Sequence, residues 1–174
     1  MSGWGFELTL RLKAGPDADE PPAWVLNFLQ NLARYVFQSG RVFQSGDYMN
    51  ANGPIAVDVE TRIRSVAFVE DPELPATETP NGRVQFIQMV GITDDEELAI
   101  KQWATLKALG VFQQHLPVLV TDLRRDSLLS NSDVKRALRD GAIADGSNTG
   151  ALFIDQLSWA EKRRLRRPSS IQIM

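Results

Sequence analysis

The chain contains no cysteine among its 174 residues. Disulfides, thiolate metal sites and cysteine nucleophiles are therefore excluded. It has one histidine, His115. A Ser-His-Asp triad would have to use that residue, and a histidine-based zinc site would have only carboxylates for company. His115 precedes an apolar stretch in "QQHLP" and reads as a loop or edge residue. No uncharged apolar run approaches the length of a membrane span, and no basic-then-apolar segment at the start resembles a signal peptide. A soluble cytoplasmic protein is the expectation. Phosphate cradles are missing too. Gly40 to Gly46 has neither the spacing nor the lysine of a P-loop, and Gly3-Trp4-Gly5 comes before a strand instead of after one. The acids Asp94, Asp95 and Glu96 fit no calcium-loop spacing, and helix-dipole complementarity explains them more simply.

What is present is an ordinary globular composition, 43% hydrophobic and 24% charged, of a length suited to one domain. The net charge of −3 is unevenly distributed. Residues 161–174 set Glu161 against five bases, a balance of +4, so the preceding 160 residues carry −7. An acidic body argues against a nucleic-acid platform. The domain is taken as 1–160, and 161–174 reads as a basic, solvated tail.

The patterning predicts an α+β fold, a mixed and mainly antiparallel sheet with helices packed on it, in the order β-α-β-β-α-β-α-β. Phe6, Leu8, Leu10 and Leu12 alternate with polar residues and predict a first strand. A helix follows from Pro22, with Val25, Phe28, Leu29, Leu32 and Val36 on one stripe and Gly40 as its stop. Phe-Gln-Ser-Gly then occurs twice, at Phe37–Gly40 and Phe43–Gly46. The first copy reads as helix end and cap. The second follows a short extended "RVF" and ends in a turn, and "NANGP" at 50–54 is another turn. Strands are expected at 62–70 and 83–91, the latter either buried on both faces or bulged. A helix over 93–109 opens with the Thr93/Glu96 capping box. A short buried strand at 116–123, a helix at 131–146 and a last strand at 150–159 complete the order. Asp47, Asp122 and Glu7 all lie near predicted strand ends, so an alternative reading is a small-ligand binder or hydrolase using carboxylates near Asp47.

The ordered stretches "GWGFELTLRL", "ARYVFQS", "FQSGD", "EDP", "TP-x-G-x-V-x-F-x-Q-x-VG", "ITDDEEL" followed by Trp103, "TDLRR" and "DGSN" resemble the Suppressor of Fused domain family over residues 3 to about 150. The resemblance implies a non-catalytic, cofactor-free protein-interaction domain. The family's animal member holds a zinc-finger transcription factor, and its single-domain bacterial relatives include immunity proteins that neutralise toxins. By motif it places partner binding on Tyr35 of "RYVFQS" and Asp47 of "SGD", which would grip an extended peptide. This sequence departs from the family in three ways. Nothing corresponds to the second lobe of the animal protein, Tyr48 stands where that motif has histidine, and the first part of the domain is missing. The last departure implies self-association, as a homodimer or a swapped strand, over the edge left by the first strand.

Overall fold

The computed structural model describes residues 4–15, 20–56 and 59–146; the expected strand at 150–159 and the basic tail lie outside them. In chain order the elements are β1 (Phe6–Leu10), α1 (Ala23–Ser39), β2 (Tyr48–Asn50), β3 (Ile63–Glu70), β4 (Thr77–Thr79), β5 (Gly82–Thr93), α2 (Asp94–Gln102), α3 (Thr105–Phe112) and α4 (Ser132–Asp145). The sheet runs β1-β5-β3-β2, with β4 paired to β5. Only β1 against β5 is parallel among these pairings. The fold is thus α+β with a mixed, mostly antiparallel sheet, as the patterning predicts.

Two cores sit on opposite faces of the sheet. On one face Val66, Phe68, Ile87 and Met89 pack with Leu32 and Val36 of α1. On the other Ala67, Val90 and Ile92 pack with Ile100, Leu109, Phe112 and Leu138 of α2 to α4. The residues alternate between faces because successive side chains of a strand point opposite ways. β5 is buried on both sides from Ile87 onward. The register irregularity falls on its neighbour, between Ile63 and Ser65 of β3.

α1 ends as its sequence predicts. Gly40 is left-handed, at φ 70, and its N–H bonds to Val36 O. Four other expectations need correction. The helix expected over 93–109 is two helices, broken at Trp103 and Ala104, whose φ/ψ leave the helical region. The Trp103 ring lies against Gly141 of α4, and its Nε1 donates to Asp145 at 2.7 Å. A straight helix would carry Trp103 away from α4.

The strand expected at 116–123 is a tight 3-10 turn, Pro117–Leu119, followed by a single parallel bridge from Thr121 to Leu12. Val118 and Leu119 are left-handed there, at φ 45 and 55. Gln88 Nε2 donates to both of their carbonyls at 3.0 Å, which pins a conformation a branched residue resists. A short apolar run does not by itself separate strand from buried turn.

The expected extension at "RVF" is irregular, and pairing begins at Tyr48 instead. Finally, the Pro-rich loop before residue 83 contains β4, a hairpin partner for the start of β5. The described order is therefore β-α-β-β-β-β-α-α-α.

Candidate functional site

The second Phe-Gln-Ser-Gly copy joins the two residues that the resemblance singles out. Tyr35 projects from the last third of α1 and is 41% exposed. Its ring stacks on Phe43, centroids 5.7 Å apart, and Phe43 stacks in turn on the buried Phe68 at 4.4 Å. Tyr35 therefore ends an aromatic column that starts in the core, which fixes the ring and leaves its hydroxyl end toward solvent.

Asp47 is exposed, and its Oδ2 accepts from the Gln44 N–H at 2.8 Å. Its backbone O accepts from Phe68 N–H at 2.9 Å, and Gly46 N–H donates to Phe68 O at 2.8 Å. Gly46 makes this turn at φ 100. Tyr35 and Asp47 are thus clasped by consecutive residues, Phe43 and Gln44, on one exposed corner.

β2 leaves that corner as the edge of the sheet. Ala51 N–H donates to Arg64 O. Antiparallel alternation then turns the backbone groups of Tyr48 and Asn50 away from β3. Met49, opposite Val66, shares the α1 face. Tyr48 and Asn50 face α2. There Lys101 Nζ stands 5.6 Å from the centre of the Tyr48 ring, a cation–π contact, and pairs with Glu97 at 2.5 Å. Burial raises the Glu97 carboxyl; bonds from Lys101, Ser65 and Asn50 outweigh it and hold it below its ordinary range.

The other candidate residues do not converge. Glu7 lies exposed on β1 and Asp47 beside β2, at opposite edges of the sheet, about 14 Å apart by strand spacing alone. Asp122 pairs with Lys13 at 2.7 Å. Among the described residues the carboxylate cluster that an enzyme near Asp47 would need is not assembled. His115 is exposed in the turn after α3. Asp94 faces Arg64 at 3.7 Å, and Asp95 accepts from Ser127 at 2.5 Å. Glu96 is fully buried in a two-pronged pair with Arg125 at 2.5 and 2.6 Å.

Two motifs without a role in the sequence acquire one here. Arg125 of "TDLRR" ties α2 to the chain before α4, donating to Gly91 O as well as to Glu96. Asp71 of "EDP" takes both Nη atoms of Arg11, at 2.7 and 2.8 Å, and the Thr9 hydroxyl at 2.7 Å. Burial raises the Asp71 carboxyl, but these bonds and two backbone N–H groups hold it well below the carboxylate range. Arg11 also reaches Gln88 at 2.5 Å, so β1, β5 and the Pro117 turn share one network. An acid directly after a strand and before proline was the available signal for Asp71.

This geometry defines a class: a three-layer α+β domain whose sheet edge, open among the described residues, carries an aromatic and carboxylate corner. The family model described as Suppressor of fused protein matches residues 1–126. The human and mouse Suppressor of fused homologs are each 37% identical over 154 residues, covering 84% of this chain and 31% of theirs. The crystal structure of Drosophila Suppressor of Fused superposes with a TM-score of 0.75 at 28% identity, over 83% of this chain and 37% of that one. A crystal structure of the Sufu-Fu complex superposes with a TM-score of 0.68 at 28% identity, over 77% and 62%. The chain belongs to the Suppressor of fused family. It spans about a third of the length of the curated relatives it matches.

Proposed function

We propose that this protein is a non-catalytic interaction domain that holds an extended segment of a protein partner at the Tyr35–Asp47 corner and along the edge of β2. The carrying observation is the clasp: Phe43 holds the phenol and its neighbour Gln44 the carboxylate, next to a strand edge that is unpaired among the described residues. Unpaired edge groups supply affinity without sequence preference, and the two side chains supply selection. A charge-assisted hydrogen bond to Asp47 contributes about 1.5–3 kcal/mol. A relative bound to a partner, in the Sufu-Fu complex, supports the same reading.

The finer assignment is a cytoplasmic immunity or antitoxin role, with a basic toxin as partner; the −7 carried by residues 1–160 suits a basic surface. A second copy of the chain is proposed on the free edge of β1, where Phe6, Leu8 and Leu10 are only half covered by α1.

The test is capture from native lysate on tagged protein, comparing wild type with Tyr35→Ala/Asp47→Ala, with the variant's fold checked by thermal melting. A protein kept by wild type and lost by the folded variant is the expected result. A partner held equally by both moves the interface elsewhere.

A further inference from the structure

Between α1 and the edge strand β2, with the turn that follows it, runs a groove of about 560 Å³. That lies within the usual size of ligand sites, roughly 300–1,000 Å³. Its floor is apolar, built by Trp24, Phe28, Met49 and Ile55. Among the described residues none that lines it is charged, although 24% of the chain is. Its free polar groups are amides. Asn27 and Asn31 stand one helical turn apart on α1, and Asn52 stands on the facing lip, all three exposed. The other face of β2 differs: there Arg64, Asp94, Glu97 and Lys101 gather across the strand.

A charged side chain entering this groove would lose water without gaining a counter-ion. A carboxamide both donates and accepts, as a peptide group does. The axial step from Asn27 to Asn31 is about 6 Å. Two residues of extended chain advance about 6.6–6.8 Å. The two repeats nearly match, so a strand lying in the groove can meet one asparagine every second residue. Trp24, Phe28, Asn31 and Tyr35 form one stripe of α1, which leads from the groove to the corner. That stripe is about 16 Å long, the reach of about five extended residues.

We propose that the groove is a second recognition subsite, which takes an uncharged extended segment of a protein partner about five residues long. A large apolar side chain of that segment enters between Trp24, Phe28 and Met49. The inference rests on the reading of Tyr35 and Asp47 as a partner-binding corner and adds the chemistry of what lies next to it.

The experiment selects a random peptide library displayed on phage against the full chain. The enriched peptides are then synthesised and titrated by fluorescence anisotropy against wild type, Asn31→Arg and Tyr35→Ala/Asp47→Ala. The expected peptides share an uncharged run with one aromatic or long aliphatic residue. Asn31→Arg changes an exposed side chain, so it keeps the wild-type melting temperature while weakening those peptides about tenfold or more. Peptides with charges throughout the run, an empty selection, or equal binding by Asn31→Arg overturn the groove. Loss on Asn31→Arg with none on the double variant keeps the groove and removes the corner. The reverse pattern keeps the corner and removes the groove.

Discussion

At the scale of single residues, two acids of the chain have opposite duties. Asp47 spends one oxygen on Gln44 N–H and stays exposed. Asp71 is enclosed, with every contact inside the protein. Asp47→Asn keeps an acceptor for Gln44 and removes only charge. It should leave stability within about 0.5 kcal/mol of wild type, while weakening a captured partner about ten- to a hundredfold. Isothermal titration beside a thermal melt separates the two effects.

Asp71→Asn should do the reverse. It leaves the partly exposed Arg11 guanidinium with Glu73 as its one charged partner, and losing the charged bonds to Asp71 should cost about 1.5–3 kcal/mol, read from urea unfolding. The pH dependence follows from the lowered Asp71 carboxyl. Its stabilisation is complete above the ordinary aspartate value of about 3.9 and is lost as pH falls through the folded-state value. Wild type should therefore lose stability more steeply than Asp71→Asn as pH falls below about 3.9. Equal acid slopes in the two proteins would show that the pair does not set acid stability.

At the scale of elements, the break between α2 and α3 positions the helical layer. Trp103 ends α2, crosses to α4 and lies where any side chain at residue 141 would have to stand. A Cβ there would meet Trp103 Cζ2 at 2.4 Å. Gly141→Ala must push either the ring or α4 aside, at about 1–3 kcal/mol for overpacking. The expected sign is destabilising, although alanine favours a helix over glycine by about 1 kcal/mol. A differential scanning trace that shows stabilisation would mean that Trp103 moves at no cost. The Pro117 turn belongs to the same scale. Its two left-handed residues depend on Gln88, which itself leans on Arg11 and thus on Asp71. The acid that follows β3 therefore supports the turn that follows α3 through two side chains.

At the scale of the whole molecule, the sheet has two edges of different character. The β2 edge is bordered by α1 and carries the corner and groove. The β1 edge leaves Phe6, Leu8 and Leu10 half covered. Antiparallel pairing of two β1 strands about Leu8 would set Phe6 against Leu10 and Glu7 against Thr9, so no like charges meet. Sedimentation equilibrium across the micromolar range should report a dimer. A single monomeric mass throughout would remove the second copy from β1.

The same order of scales separates what could be read in the sequence from what could not. Local pattern determined β1, α1 with its Gly40 cap, the core of β3 and β5, the Thr93 capping box and α4, because each rests on periodicity or cap chemistry within one segment. Resemblance to the family, not local pattern, brought forward Tyr35 and Asp47, twelve residues apart in the chain. Pairing and packing decided the rest. That Tyr35 and Asp47 share a corner depends on Phe43 stacking upon Phe68, twenty-five residues away. That Glu96 and Asp71 are structural depends on Arg125 and Arg11, far off in sequence. That residues 116–123 fold as a turn, and that 93–109 breaks at Trp103, depends on Gln88 and Gly141 reaching them from other elements. Sequence records propensity along the chain, whereas these outcomes are set by which side chain arrives from elsewhere, and only the assembled sheet with helices on both its faces determines that.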